Sequence, residues 1–170
     1  MTVEKSVENV HISPIEERGQ TMENGPVLRI KKLREEAVLP ERKTDGSAGY
    51  DLCACIGAPL TLEPGEMVLL PTGLAAEIPQ GMGGFIFTRS GLGIKHGVAV
   101  TNGVGVIDSD YRGEIHVGLR NSGKAPYTLQ PGERVAQLIL LPVCLLPVEE
   151  ADELTSTQRG EGGFGSTGTL

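Results

Sequence analysis

The sequence predicts an all-β protein, a single domain in which short strands alternate with tight turns. The chain of 170 residues contains 24 Gly and 11 Pro, a density that interrupts long helices and favours turns. Strand-like apolar runs recur about every ten residues, with turn residues between them. No window has the apolar periodicity of a helix of about twelve residues or more. Together these observations favour a sandwich, a jelly roll or a barrel.

Strands are predicted wherever apolar and polar residues alternate, or where a short apolar run lies between turns. The first falls at residues 26–32, where the alternation begins. Further strands are predicted, in chain order, at residues 50–55, 66–70, 74–78, 84–88, 98–101, 114–120 and 134–142. Residues 90–97 have room for one or two helical turns. The sequence Pro-Gly-Glu occurs in two turns, at residues 64–66 and 131–133, and hints at a repeated hairpin.

The two ends of the chain differ from the predicted core, which spans residues 26–150. Residues 1–25 are polar and Glu-rich and lack periodicity, so we expect a disordered N-terminal extension there. Residues 151–170 are expected to form a C-terminal arm. Half of the residues at positions 159–168 are Gly, so this segment cannot build a core of its own.

The Gly-rich end of the arm has the composition of a phosphate-binding flap. Exposed backbone N–H groups, the hydroxyls of Ser166 and Thr167 and the guanidinium of Arg159 are all groups that bind phosphate. Phe164 offers a flat face for a base. A flexible linker is the alternative, and composition alone favours it. The combination of these residues in one short stretch favours the flap.

Charge and composition exclude several classes of protein. The formal net charge of −7 argues against a nucleic-acid partner, which would need a basic face. An anionic ligand would require a local Arg cluster and a divalent cation. The three Cys residues have neither the spacing of a metal site nor that of a disulfide framework, so we expect reduced thiols. No apolar run predicts a membrane span or a signal peptide, and we therefore expect a cytoplasmic protein.

Two segments, together with Gln137 in a later strand, have residues suited to binding an anion or supporting a site. Arg89, Ser90 and Gly91 follow a predicted strand and open a short helix, which is a natural anion site, although a solvated surface turn is the commoner outcome. Asp51 lies in an apolar strand, where a carboxylate must be bonded to a partner. Gln137 is the one polar residue in an otherwise apolar stretch.

A third segment, residues 105–113, has residues suited to acid–base chemistry. A run of small and apolar residues ends in Asp108, Asp110 and Tyr111. An Asp within hydrogen-bond reach of a water can act as a general base. The alternative is a charged hairpin tip that uses Asp for its turn, and the residues alone leave the two readings open.

Taken together and in this order, these segments resemble the five motifs of the trimeric dUTPase family. The resemblance covers about residues 27–168, with motifs at residues 48–54, 89–92, 102–113, 134–138 and 159–168. It implies a β jelly roll, the β-clip, that assembles as a closed homotrimer. It also implies shared active sites, with motifs one, two and four from one subunit, motif three from a second and motif five from the third.

The implied activity is hydrolysis of dUTP to dUMP and pyrophosphate by attack of water on the α-phosphorus, with Mg²⁺ as cofactor. This reaction keeps uracil out of DNA and supplies dUMP for dTMP synthesis. Asp108 matches the general base, Asn102 the residue that reads uracil, and Tyr111 the ring under the deoxyribose. Backbone groups of the hairpin at Gly105, Val106 and Ile107 would complete the uracil readout.

The remaining site residues also follow from the resemblance. Asp51 matches a buried acid that supports the catalytic geometry. Phe164, with Gly165 beside it, matches the aromatic that stacks on the base. The residues that match phosphate ligands are Arg89, Ser90, Gly91, Gln137, Arg159, Ser166 and Thr167. Mg²⁺ is expected to bind the substrate phosphates and waters, with no direct protein ligand.

Two alternatives stay open beside this interpretation. dCTP deaminases share the fold, but they need a different second motif and a catalytic Glu in the third. A trimeric partner-binding protein that has lost catalysis is the other alternative. The chain departs from the family pattern at Cys53, Gly93 and His116, which we interpret as packing variants, and His96 and His116 are expected to be structural.

Overall fold

The strands and the single helix of the computed structural model, which describes residues 25–163, are short and separated by turns. In chain order they are β1 (Arg29–Lys32), β2 (Tyr50–Cys53), β3 (Leu60–Leu62), β4 (Met67–Pro71), β5 (Leu74–Glu77), β6 (Met82–Thr88), α1 (Ser90–His96), β7 (Val98–Val100), β8 (Gly105–Ile107), β9 (His116–Asn121), β10 (Tyr127–Leu129) and β11 (Arg134–Pro142). The predicted all-β class is confirmed.

The strands form antiparallel sheets around one aliphatic core. A four-stranded sheet has the order β2-β11-β6-β8, and a three-stranded sheet has the order β4-β9-β7. The pairs β1-β5 and β10-β3 complete the arrangement. Central core side chains are fully buried, among them Leu52, Val98, Leu119, Val135 and Leu138. This layered antiparallel arrangement is a jelly roll.

The predicted strands were found, some with shorter and some with longer ends than predicted, and three further strands escaped prediction. β3, β8 and β10 are each three residues long, too short for alternation to distinguish them from a turn. The strand predicted at residues 114–120 begins only at His116. Glu114 and Ile115 instead bond to the turn between β4 and β5, where the Ile115 N–H donates to Leu74 O at 2.8 Å.

The two turns that share the sequence Pro-Gly-Glu are built alike. The carboxylate of Glu66 accepts the backbone N–H of Glu63 at 2.8 Å. In the same way, Glu133 accepts the backbone N–H of Gln130 at 2.8 Å. Each carboxylate therefore closes its own turn before the next strand begins.

Other sequence expectations concern the thiols and the membrane. Cys53, Cys55 and Cys144 are free thiols, the first two buried and the third exposed. Within residues 25–163, no helix combines the length and the apolar character that crossing a bilayer would take.

Candidate active site

The residues predicted to handle base, sugar and water line one cavity. Its volume is about 290 Å³. The predicted residues that line it are Asn102, Gly105, Val106, Ile107, Asp108 and Tyr111. Residues from β4, β6 and the start of β9 complete the wall: Leu69, Ile86, Glu114, Ile115 and His116. The cavity thus combines an amide, a carboxylate and a phenol with apolar walls, the usual make-up of a small-molecule site.

The connection from β7 to β8, and β8 itself, position Asn102 and Asp108 on either side of one short strand. Asn102 lies in the turn, where its carbonyl accepts the Val104 N–H at 2.8 Å. β8 then pairs with β6, with Gly105 opposite Ile86. Asp108 follows β8 directly and is exposed, whereas Ile107 before it is buried. A carboxylate at a strand end on the wall of a cavity can reach a water held inside it.

Tyr111 is held over the chain that follows it. Its hydroxyl donates a hydrogen bond to the backbone carbonyl of Glu114 at 3.0 Å. The ring lies so close to Gly113 that a Cβ at position 113 would overlap the Tyr111 hydroxyl, so any other residue there would displace the ring. The backbone N–H of Tyr111 donates to Asp108 O at 3.1 Å, which closes a tight turn between these two residues.

A second group of predicted residues is built around a buried carboxylate. Asp51 is 6% exposed and accepts hydrogen bonds from Arg89 Nε at 3.1 Å and from Arg134 Nη1 at 2.9 Å. Arg89 also donates from Nη1 to the Arg134 carbonyl at 2.8 Å. Gln137 lies opposite Asp51 in the β2–β11 register. The expectation that Asp51 must be bonded is therefore met, by two arginines at once.

Arg134 is a member of this group that sequence reasoning missed. Arg134 is the charged residue that begins the otherwise mostly apolar segment 134–138, and this was a signal. Its contact with Asp51, however, spans 83 positions of the chain. Cys53 lies opposite Arg134 in the register. Burial raises the pKa of the Cys53 thiol, the charge of Asp51 raises it further, and the nearby cations, Arg134 first, lower it. The thiol beside this ion cluster is thus held in its neutral form.

One chain keeps the two groups at different edges of the same sheet. Asp51 lies in β2 and Asp108 follows β8, and β2 and β8 are the two edge strands of the four-stranded sheet. Among the residues that the structure describes, Asp51, Arg89, Ser90, Gly91 and Gln137 are absent from the wall of that cavity.

The helix start and the arm complete the placement of the predicted residues. Ser90 and Gly91 are exposed in the first turn of α1. Arg159 is exposed, and its Nε donates to the Gly162 carbonyl at 2.8 Å. Phe164, Gly165, Ser166 and Thr167 lie outside the described residues, so their predicted roles are untested.

His116, interpreted from the sequence as a packing variant with a structural role, lines the cavity. Its side chain is 36% exposed, and its Nδ1 lies 3.1 Å from Glu114 O. The alternation of side chains along this segment could have predicted the exposure of His116, because it falls between Ile115 and Val117, which are buried. Glu114 was missed as well. His96, in contrast, packs its ring against Tyr127 with 4.7 Å between centroids.

The polar groups that line the cavity suit a metal ion that is bound mainly by a substrate and waters and not by the protein. From Gly25 to Gly163, no three His, Cys, Asp or Glu side chains converge on a point where they could hold an ion. Asp108 is an exposed carboxylate on the cavity wall. Mg²⁺ binds substrate phosphates and keeps several of its waters, so it does not need a cluster of protein ligands. The residues of the cavity fit an ion bound through a substrate and waters.

The jelly roll and its cavity define a class, the antiparallel β proteins with a ligand-sized cavity beside an edge strand. The dUTPase family model matches residues 35–168. The chain belongs to the dUTPase family.

Curated relatives and solved structures agree with the family match. The deoxyuridine 5'-triphosphate nucleotidohydrolase of Desulfitobacterium hafniense (strain DSM 10664 / DCB-2) is 54% identical over 148 residues, which cover 85% of this chain and 98% of that protein. The enzyme of the same name from Alcanivorax borkumensis is 50% identical over 138 residues, covering 81% and 92%. The dUTPase of Staphylococcus bacteriophage 80alpha with dUpNHpp has a TM-score of 0.77 at 29% identity, covering 84% and 98%.

Proposed function

We propose that this chain hydrolyses dUTP to dUMP and pyrophosphate. The observation that carries the proposal is the cavity in which Asn102, Asp108 and Tyr111 meet. The amide of Asn102 can pair with a base, the carboxylate of Asp108 can activate a water for attack on a phosphate, and the ring of Tyr111 can pack against a sugar. Membership of the dUTPase family and the names of the relatives support the same reaction.

The cavity residues are assigned to the base, the sugar and the water. Asn102 would pair with uracil, together with backbone groups at Gly105, Val106 and Ile107. The Tyr111 ring would pack under the deoxyribose, where a 2′-hydroxyl would clash. Such a clash would lower the affinity for ribonucleotides such as UTP directly, in addition to any gain in affinity for dUTP. Asp108 would take a proton from a water, which then attacks the α-phosphorus in line.

The ion cluster is assigned to the phosphates. Asp51 holds Arg89 through its Nε, and Arg89 Nη1 is in turn held by the Arg134 carbonyl. A guanidinium fixed in this way is preorganised for an anion, which lowers the entropy lost on binding. Ser90, Gly91 and Gln137 would add contacts to the same phosphates.

The C-terminal arm, residues 151–170, is assigned to closing the site. Arg159, Ser166 and Thr167 would bind phosphate, and Phe164 with Gly165 would stack on the base. Closure would exclude bulk water from the reacting centre. Residues 26–150 would then form the core and residues 1–25 an extension; a cytoplasmic location stays a prediction from the sequence.

Mg²⁺ is proposed as the cofactor, bound to the substrate phosphates and to waters. A mutant dUTPase from phage phi11 of S. aureus, 25% identical with a TM-score of 0.68, shows the coordination of a structural Mg(II) ion. When bound, the ion would neutralise phosphate charge, which matters in a chain with a net charge of −7.

We also propose that the chain works as a homotrimer with shared sites. The separation of the Asp108 cavity from the Arg89 cluster in one chain supports this, because a dUTP molecule must contact both. Apolar side chains at the cavity mouth, Leu69 at 67% and Val106 at 65% exposure, supply surface for a neighbouring subunit.

The test is pyrophosphate release from dUTP, UTP, dTTP and dCTP with Mg²⁺, for the unmodified chain and two variants. We expect hydrolysis of dUTP alone. Asp108→Asn should lower kcat by about 10²–10⁴-fold, the usual contribution of a positioned general base. Asp110→Asn is the matched control, an exposed acid two residues on that does not line the cavity, and it should keep its activity. Failure to cleave any of the four nucleotides would refute the proposal.

A further inference from the structure

Glu114 is a cavity residue whose two carboxylate oxygens are both engaged by other groups of the chain. The side chain is 17% exposed. Its Oε1 accepts the backbone N–H of Gly73 at 2.8 Å. Its Oε2 accepts from Arg34 Nη2 at 3.3 Å and lies 3.7 Å from His116 Nε2. One carboxylate therefore ties the start of β9 to two other segments of the chain.

The backbone of the same residue holds the Tyr111 ring. The Tyr111 hydroxyl donates to Glu114 O, and Gly113 between them leaves room for the ring to lie flat. Ile115, the next residue, is bonded to the 72–74 turn, since its N–H donates to Leu74 O and its carbonyl accepts from the Thr72 hydroxyl at 2.7 Å. The direction of the Glu114 carbonyl is thus set by the side chain of Glu114 and by the backbone bond that follows it.

We infer that Glu114 is a positioning residue for Tyr111, and that it sets the preference for deoxyribose over ribose. The inference rests on the proposed function, in which Tyr111 contacts the sugar. Without the carboxylate, the Gly73 N–H and Arg34 lose their acceptor, and the 111–114 segment loses its bond to the 72–74 turn. A ring that moves by a fraction of an ångström opens space for a 2′-hydroxyl, and exclusion by clash depends on that space.

Variants of Glu114 distinguish a residue that only stabilises the fold from a residue that positions Tyr111, because the two roles affect the activities on dUTP and UTP differently. Loss of general stability lowers the activity on dUTP and on UTP by the same factor. Loss of ring position lowers the discrimination between them. The informative quantity is therefore the ratio of kcat/KM for dUTP to kcat/KM for UTP, and not either value alone.

The experiment compares this ratio in five full-length proteins. We expect Glu114→Ala and Tyr111→Phe each to lower the ratio about tenfold, which corresponds to about 1.4 kcal/mol. Glu114→Gln keeps an oxygen acceptor for the Gly73 N–H and should retain most of the discrimination. Glu66→Gln is the matched control, because Glu66 also accepts a turn N–H at 2.8 Å but on a turn outside the cavity, and its ratio should be unchanged.

Binding is measured in parallel, so that the inference can be separated from the proposed function. The ratio of Kd values for the non-hydrolysable imido analogues of dUTP and UTP requires no catalysis. If the unmodified chain hydrolyses no dUTP yet binds the deoxy analogue preferentially, and Glu114→Ala loses that preference, the proposed function fails and the inference stands. A protein with no preference for the deoxy analogue overturns the inference.

The remaining outcomes also decide the matter. Unchanged ratios in Glu114→Ala and Tyr111→Phe overturn the inference, even if both variants are slower. Should Glu114→Ala fail to fold, Glu114→Asp takes its place, because the shorter side chain withdraws the carboxylate from the Gly73 N–H. A lowered ratio in Glu114→Asp then supports the inference, and a ratio equal to that of the unmodified chain rejects it.

Discussion

Asp51 is a buried carboxylate whose two oxygens each bind a different arginine. The arginine side chains are less buried, with exposures of 24% for Arg89 and 44% for Arg134, against 7% for Asp51. The cost of burying the acid is offset by hydrogen bonds to both oxygens, so removal of its charge leaves two cations without their acceptor. The cluster therefore serves the fold and the proposed phosphate site together.

Asp51→Asn should lower the free energy of unfolding by about 1–3 kcal/mol, the range for hydrogen bonds to charged groups. It should also raise the KM for dUTP, because Arg89 loses the bond that orients it. The control is Glu77→Gln, which breaks the exposed pair with Arg29 at 2.8 Å and should cost about 0–1 kcal/mol. Urea unfolding and steady-state kinetics measure both effects, and equal losses in the two variants would contradict this account.

Tyr127 makes the stability depend on pH in the alkaline range. Burial, then the hydrogen bond to Glu133, raises the pKa of Tyr127 from 10.0 to about 12. Between these values the folded chain keeps a phenolic proton that the unfolded chain has released. The stabilisation is thus complete below pH 10 and is lost as the pH rises towards 12.

Tyr127→Phe should abolish this part of the pH dependence. The free energy of unfolding of the unmodified chain should fall more steeply with pH than that of the variant throughout the window from the unfolded to the folded pKa. Urea unfolding at a series of alkaline pH values measures the difference between the two curves. Parallel curves would mean that Tyr127 does not titrate as described.

At the scale of elements, α1 is joined to the end of β9 through its terminal glycine. Gly97 has φ 70° and closes the helix, with its N–H directed at Gly93 O and Leu92 O. Its carbonyl accepts the Ser122 N–H at 2.8 Å. A Cβ at Gly97 would lie 2.6 Å from the backbone nitrogen of Gly123, so one of the two segments would have to shift.

Gly97→Ala should therefore destabilise the protein by more than backbone strain alone. Gly65→Ala is the matched control, because Gly65 has φ 90° with nothing within 4 Å of an added Cβ, and it should cost about 1–2 kcal/mol. Gly97→Ala should cost roughly 1–3 kcal/mol beyond that, through the clash. Thermal unfolding of both variants tests the difference, and similar losses would show that the close approach to Gly123 relaxes freely.

At the scale of the whole molecule, one chain separates the two halves of the proposed site. Asp108 follows β8 and Asp51 lies in β2, the two edge strands of the β2-β11-β6-β8 sheet, and the residues of the Arg89 cluster do not line the Asp108 cavity. In a closed ring each subunit can present one half to one neighbour and the other half to the next. The chain of 18.0 kDa should accordingly behave in solution as a particle of three times that mass.

Mixing two inactive variants tests the sharing directly. Asp108→Asn keeps the Arg89 half of the site, and Arg89→Ala keeps the Asp108 half. After the two are unfolded together and refolded, roughly a quarter of the sites in random trimers combine both intact halves and should hydrolyse dUTP. Each variant refolded alone should stay inactive. A mixture as inactive as its parents would place the whole site within one chain.

The sequence by itself determined the all-β class and most of the strands, and it supplied the residues proposed for the site. Gly and Pro frequency, alternation and turn residues are local properties, and they act within a few residues of the chain. The segments around Asp51, Arg89, Asp108 and Gln137 were recognisable for the same reason, because each contains its chemical groups within a short stretch.

Only the tertiary structure decided which of these groups meet. Arg134 reaches Asp51 across 83 positions, and Glu114 reaches the Gly73 N–H across 41. Both contacts depend on strand register and on how β9 joins the 72–74 turn, and a shift of one residue would turn each side chain to the other face. Pairing between distant strands is set by the packing of the whole core, so a local pattern in a single sequence does not contain it.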